Sequence, residues 1–415
     1  MMFINISIGT MYFLSVYFAV FTLLMIISKG ITQTATKPVP PRGVTIAIPA
    51  WNEEESILKT LQHVIALDYP KKLLEIIVVN DGSIDTTATI TQQFINNHKD
   101  YTIKLINQKN QGKATALNTA LAAAHHDIFI CLDADSYVEQ NTLQLMLPHL
   151  KNNVASVLPF MKITRRNNWI LKIQWIEYLL NFFLKKIMGT MDCIHVTPGP
   201  FAMYQTNILK TIGGFDTKTL TEDQEIAMRI QKHNYKIIQL LDATVYTEPP
   251  TTFKGWRNQR NRWYKGTIFN MIKHRNMIFN KNYGEFGIWQ MPLIILAALI
   301  SLSFGLFVVW DNIIHPLLQK IHDLSYINFD IGLMMQKSVE RFSWLDINFV
   351  ILFFTGIVVL LSLVWIIGSH IYSNERYLKK GLLSTPIYLV LYPYMICIVW
   401  FTILIDLIRG KIQKW

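Results

Sequence analysis

The chain has 415 residues, a formal net charge of +11, 51% hydrophobic residues and only 16% charged ones. That balance is too apolar for an ordinary soluble protein. It also argues against a nucleic-acid partner, because the basic residues gather at the edges of apolar segments and no reading helix carries them.

Residues 1–28 carry no charge and read as an N-terminal transmembrane helix. No basic stretch precedes this segment and no small-x-small cleavage site follows it, so it is expected to stay uncleaved. Residues 29–42 form a linker ending in the stiff TKPVPPR. A strand is then predicted over 43–50, a helix over 52–67, a fully apolar strand over 73–80, a helix over 90–97 and a strand over 101–107. A helix over 113–124 and a strand over 127–133 continue the pattern. Such alternation predicts an α/β domain with a mostly parallel sheet covered on both faces. Ligands of such sheets bind beyond the C-terminal strand ends, so polar residues there are the first candidates for chemistry.

Residues 168–188 mix Trp169, Trp175, Tyr178 and Phe182 with Lys172, Lys185 and Lys186, the pattern of an amphipathic helix at a bilayer interface, with a buried helix as the alternative. Uncharged runs at 289–310, 347–368 and 386–405 are long enough to cross hydrocarbon. The expected organisation is therefore a domain over 43–287 followed by a membrane region over 288–415 with about three helices. Basic residues near the membrane place the domain and the loop 369–381 in the cytoplasm of a multi-pass cell-membrane protein, with 311–346 outside. Four simple crossings would put the basic tail 409–415 outside, against the same rule, so its side stays open. The cysteines Cys131, Cys193 and Cys397 match no metal or disulfide spacing and suit a reducing compartment.

Three acidic clusters and one basic–aromatic cluster carry candidate chemistry. Asp81, in NDGS at the end of the second strand, can accept hydrogen bonds from a base or ribose, or serve as a cap beside Asp85. Asp133 and Asp135, in DAD beyond the fourth strand, can bind a hard divalent cation and through it a diphosphate, with Asp135 at the metal. Lys113 follows Gly112 at a strand-to-helix junction and can steady phosphate, although neither a Walker loop nor a dinucleotide fingerprint is present. Glu222 and Asp223 precede an amphipathic helix that Thr221 can cap; a carboxylate there can take a proton from an attacking hydroxyl, or merely start the helix. In QRNRWYKG, helical spacing puts Gln259, Arg262 and Trp263 on one face and turns Arg260 away.

Taken in order, NDGS, DAD, TED and QRNRW between flanking spans resemble the membrane-integrated, processive family-2 glycosyltransferases, which include cellulose, hyaluronan and poly-β-1,6-N-acetylglucosamine synthases. In size and span layout the chain is most similar to the bacterial poly-β-1,6-N-acetylglucosamine synthase group. The resemblance covers roughly residues 10–310. It implies a GT-A fold, a UDP-sugar donor, Mg²⁺ or Mn²⁺, a glycan acceptor, and a small accessory membrane protein or export partner. It implies donor contacts at Asp81 and Asp133, metal at Asp135, and a catalytic base at Asp223; Lys113, read from its own position, joins the donor-binding set, and Glu222 is a candidate support for the base. Gln259, Arg262 and Trp263 then belong to the acceptor and diphosphate end. One segment departs from the family: HVTPGPFAMY, 195–204, stands where the poly-N-acetylglucosamine synthases carry a Ser-Gly-containing strand. Two alternatives stay open at this point, a transferase adding a single sugar to a lipid-linked or short glycan, and a non-catalytic sugar-binding membrane subunit.

Overall fold

The computed structural model describes residues 37–411 apart from 165–166, 327–348, 374 and 376–380, together with Val16, Tyr17, Val20, Phe21, Leu23 and Ile27. Most of the first predicted span, the linker to residue 36 and the second half of the predicted outer loop therefore lie outside the described residues.

In chain order the first half runs β1 (Val44–Ala50), α1 (Ile57–Ile65), β2 (Leu74–Asp81), α2 (Thr87–Asn97), β3 (Thr102–Gln108), α3 (Lys113–Ala123) and β4 (Ile128–Cys131). The second half of the domain adds β5 (Tyr137–Val138), α4 (Thr142–Met146), β6 (Val154–Ile163), α5 (Trp169–Gly189), β7 (Ala202–Gln205), α6 (Thr206–Thr211), α7 (Glu222–Lys232), β8 (Lys236–Thr247) and α8 (Phe253–Lys273). The strands form one sheet in the order β3-β2-β1-β4-β7-β6-β8-β5. β1 pairs in parallel with β2 and β4, β2 with β3, and β6 with β8, whereas β7 runs antiparallel to both β4 and β6.

Strand alternation sorts the core into two layers. Val44, Ile46 and Ile48 of β1 face Ile57, Leu61 and Val64 of α1, all buried. Ala47 of β1, with Ile77 and Val79 of β2, faces Ala116, Leu117 and Ala120 of α3 on the other side. Both faces of the sheet are thus covered, as the apolar runs in β1 and β2 require.

Three further helices are long and apolar enough to cross a membrane, spanning Phe286–Phe307, Leu352–Tyr372 and Ser384–Ile408. They are formed by α9 (Met291–Val309) with the π-helical turn Phe286–Gln290 before it, α11 (Phe349–Tyr372) and α12 (Ser384–Ile408), with α10 (His315–Tyr326) between the first two. The chain is accordingly a multi-pass membrane protein. The predicted outer loop begins as helix, since a π-helical turn at Trp310–Ile314 joins α9 to α10. Phe21 of the first segment packs its ring 4.7 Å from that of Trp289, just before α9.

Helix α5 differs from a half-wet amphipathic helix. Trp175, Ile176, Leu179 and Phe182 pack against Phe160 and Ile163 of β6, while Ile170, Leu171 and Ile173 join Met395, Val399 and Ile403 of α12. The helix is a wedge between the sheet and the apolar helices, capped at its start by Asn168, whose side chain accepts from the Leu171 amide.

Helix α8 lies against the start of α7. Asn270 Nδ2 donates to Thr221 Oγ1 at 3.0 Å and to Gln224 Oε1 at 3.2 Å, and a Cβ at Gly266 would collide with the Thr221 side chain. The hydroxyl of Thr221 therefore ties two helices together and does not cap α7 as the sequence suggested. Gly266→Ala should destabilise the protein by about 1–3 kcal/mol through overpacking. A thermal melt of the detergent-solubilised chain checks it, and an unchanged midpoint would show that α8 can move off α7.

Candidate active site

A cleft of about 380 Å³ opens at the C-terminal ends of the strands. Every residue singled out by sequence lines it: Asp81, Lys113, Asp133, Asp135, Glu222, Asp223, Gln259, Arg262 and Trp263. These come from β2, the start of α3, the turn after β4, the first turn of α7 and the middle of α8.

Asp81 is buried, and its carboxylate is largely occupied by the chain itself. Oδ1 accepts from Gln108 Nε2 at 2.7 Å and from the Gln111 amide at 3.0 Å, and Oδ2 accepts from the Gly112 amide at 2.8 Å. These bonds hold the turn that opens α3, where Gly112 adopts a φ of 89° that disfavours any side chain. Gly82, at φ 74°, makes the turn after Asp81, and a Cβ there would stand 2.6 Å from the Asn110 amide nitrogen.

Lys113 is delivered by that turn into a cage of carboxylates. Its Nζ lies 2.5 Å from Asp133 Oδ1 and 3.3 Å from Glu222 Oε1. Burial alone would favour the neutral amine, but Asp133, Glu222 and Asp223 outweigh it and raise the Lys113 pKa. Gly199 closes over this pair: a Cβ there would sit 2.7 Å from Lys113 Nζ and 2.9 Å from both Asp133 oxygens. The divergent segment 195–204 is thus a wall of the cleft, with Pro198 and Pro200 also lining it. Phe201, fully buried at a φ of 59°, turns the chain from this wall into β7. Thr197 anchors the wall to α7, donating from its amide and hydroxyl to the Asp223 carbonyl.

Three acids in the cleft are shifted upward, Glu53 mainly by its burial. For Asp223, burial is the main cause and Glu222 adds to it, while Lys113 and Arg262 oppose; the result is a carboxyl pushed up to about 6. For Asp135, burial leads, Asp133 and Glu53 add, and the carboxyl rises to about 7. The only hydrogen bond among these causes is a 3.0 Å bond from Ser136 Oγ. Among the described residues no group of three or more His, Cys, Asp or Glu forms a metal cage. Asp135 nevertheless stands where positive charge is wanted, beside Asp133 and Glu53, and a hard cation is commonly held by one or two carboxylates plus a ligand's phosphate oxygens. The donor set fits such a shared cation.

The far wall comes from α8. Arg262 Nη1 donates to the Leu220 carbonyl at 3.2 Å, which holds the guanidinium at the Asp223 side. Arg260 turns away, as its spacing predicts, and is fully buried against Glu177.

Sequence reading missed several lining residues. Trp51 and Glu53 follow β1 and obey the strand-end rule; Trp51 is 54% exposed, a free aromatic face at the cleft mouth. Tyr178 of α5 and Glu248 after β8 also line the cleft, from elements whose relation to the sheet was not predicted.

Residues 45–213 match the description of glycosyl transferase family 2. The chain is 26% identical over 389 residues to a poly-beta-1,6-N-acetyl-D-glucosamine synthase of Staphylococcus epidermidis, covering 93% of this chain and 86% of that protein. It is 30% identical over 274 residues to the protein of the same name from Staphylococcus aureus, covering 64% and 66% of the two chains. A mannosyltransferase from Pyrobaculum calidifontis, solved with GDP-mannose and Mn²⁺, superposes with a TM-score of 0.60 over 89% of this chain and 97% of that one. At 18% identity that likeness concerns the fold alone.

The Asp223 shift makes a prediction independent of turnover. Its carboxyl rises from an ordinary 3.8 to about 6 in the folded protein, so its contribution to stability is present below pH 4 and lost as pH climbs through 6. Asp223→Asn should therefore melt above the parent chain at pH 7.5, by roughly 2–4 °C, and lose that advantage at pH 4. Equal melting temperatures at both pH values would show that the carboxyl is not strained.

Proposed function

The chain belongs to glycosyl transferase family 2 and is a membrane glycosyltransferase; from that premise we propose that it moves a sugar from a UDP-linked donor, N-acetylglucosamine in the first instance, to the hydroxyl end of a growing β-linked polysaccharide. The observation that carries this reading is the meeting, in one cleft, of strand-end carboxylates with Trp263 on a helix packed against a membrane span. The named activity of the staphylococcal relatives supports the choice of sugar.

In this reading Lys113 and Asp133 hold the donor beside the Gln111–Gly112 turn that Asp81 fixes. Asp135, with Asp133 beside it, would hold Mg²⁺ or Mn²⁺, which when bound offsets negative charge on a diphosphate. Trp263 offers a flat apolar platform to the acceptor sugar, and Gln259 a hydrogen bond. Asp223, supported by Glu222, takes the proton from the acceptor hydroxyl as its oxygen bonds to the anomeric carbon. The bond from that carbon to the diphosphate breaks in the same step, and UDP departs with the electron pair. Arg262 stabilises the charge that builds on it. Attack opposite the leaving group converts an α-linked donor into a β-linked product.

The raised pKa of Asp223 suits a base working near neutrality, since most of it is ionised at pH 7 yet still basic enough to accept a proton. The domain over 43–287 would face the cytoplasm, where nucleotide sugars are made, and the polymer would leave along the membrane helices, alone or with a small membrane or export partner.

Purified protein with a panel of UDP-sugars should release UDP from one of them and yield a long β-linked product on a gel. Single-sugar products would replace polymerisation with single addition. Asp223→Asn should lower the transfer rate by about 10²–10⁴-fold while leaving UDP binding intact. The parent's rate should fall as pH drops below about 6. Normal elongation by Asp223→Asn would remove Asp223 from the base role.

A further inference from the structure

Arg260 faces away from the cleft, yet it touches Gln259 and Trp263, which wall it, and lies 6.0 Å from the ring centroid of Tyr178, a third lining residue. Its guanidinium carbon lies 4.1 Å from the centroid of the Trp263 ring, within cation–π range. Its Nη1 donates to Gln259 Oε1 at 2.5 Å. With that oxygen engaged, the Gln259 NH₂ is the end of the amide left for a hydroxyl-rich ligand.

Arg260 is itself held from two sides. Nε and Nη2 grip Glu177 of α5 at 2.8 and 2.6 Å, and both residues are buried. Glu177 Oε1 accepts a further hydrogen bond, 3.0 Å long, from the Tyr392 hydroxyl of α12. The Tyr392 ring stacks on Tyr388 one turn away, with centroids 4.6 Å apart. A continuous set of contacts thus runs from a membrane helix, through one carboxylate and one guanidinium, to an amide and an indole that line the cleft.

We infer that Arg260 is a positioning residue, set by Glu177 and by Tyr392 of the last membrane helix, that orients Gln259 and Trp263 toward a saccharide acceptor. The inference rests on the acceptor role given to Trp263 above. A buried ion pair contributes little net stability compared with an apolar pair of the same shape, so holding the fold together is a weak reason for this one. Its geometry is specific to arginine. The fork bonds Glu177 through two nitrogens and Gln259 through the third while its flat face lies against the indole, an arrangement that one ammonium group cannot reproduce.

The test uses the full chain in detergent with Asp223→Asn as background, so that binding is read without turnover. The probes are UDP and a β-1,6-linked N-acetylglucosamine hexamer. Arg260→Lys should weaken the hexamer about tenfold and Tyr392→Phe about threefold, with UDP affinity held within about twofold in both. The double variant should bind like Arg260→Lys alone, because both changes act through one contact. Unchanged hexamer affinity in Arg260→Lys would overturn the inference, as would equal weakening of UDP and hexamer, which marks general damage. Absence of hexamer binding by the background chain would also overturn it. Additive effects would remove Tyr392 from the relay. If Arg260→Lys does not fold, Tyr392→Phe, which deletes one hydroxyl, decides alone. A parent chain that releases UDP from no UDP-sugar defeats the transfer reading and leaves these binding results to judge Arg260.

Discussion

Lys113 stands 2.5 Å from Asp133 and 3.3 Å from Glu222, and the acids gathered at the strand ends depend on that one ammonium. The dependence follows from the architecture. A parallel sheet sends successive chain turns to the same edge, so carboxylates far apart in sequence meet in a confined, poorly hydrated space. Without a cation among them, like charges in low dielectric would drive one another to protonate. The Gln111–Gly112 turn, fixed by Asp81, delivers the lysine there, and Gly199 leaves room for its pair with Asp133. Five separate segments therefore share one electrostatic constraint, and each must be in place before the cleft has its shape.

The first half of the domain was legible because its information is local. β1 to β4 and the helices between them are periodic runs bounded by turn residues, and each was predicted within a few residues of where it lies. In α1 the difference has a cause: residues 52–56 are not helical, because Asn52 turns at a φ of 55° and trades hydrogen bonds with Ser83 and Ile84 of the next loop. The second half was less legible because its information is tertiary. β7 has four residues and follows a Pro-Gly-Pro turn, and β6 pairs with β8 across register shifts, so neither shows a clean alternation. At the site, the strand-end rule found Asp133 and Asp135, and helical spacing found the face of Gln259, Arg262 and Trp263. Glu248 and Gly199 left no local mark. The one lies beyond an irregular strand, and the other matters because a lysine 86 positions earlier in the sequence leaves no room for a side chain.

Helix α5 shows how a sequence pattern can be right in composition and differ in use. Its aromatic residues and lysines suit a membrane boundary, and it does lie where the domain meets the apolar helices. Both of its long faces are filled, one by β6 and the other by α12. The same boundary is stitched through α8, where Asn261 meets Thr402, Tyr264 stacks on Trp400 with centroids 5.4 Å apart, and Lys265 pairs with Asp406 at 2.7 Å. The helix that carries Trp263 is therefore packed as part of the membrane region as much as of the sheet domain. Movement of α12 cannot leave the far wall of the cleft untouched.

Glu75 and the two acids Asp223 and Asp135 separate structural need from chemical use. Glu75, inside the sheet near its opposite end, is opposed by burial, yet Lys104, Thr45 and His125 all donate to it and bring it down to about 2. Its charge is satisfied, and it stabilises the folded state at neutral pH. Asp223 and Asp135 are also withdrawn from water, but they receive few donors and face other acids, so burial prevails and their carboxyls rise. The same fold that supplies donors for Glu75 withholds them at the cleft. A group held in that condition costs stability at neutral pH, and the cost is offset only when something arrives that needs a proton acceptor or a negative charge. The acids of the cleft are thus left incomplete by the protein, and a positively charged or proton-bearing ligand is what completes them.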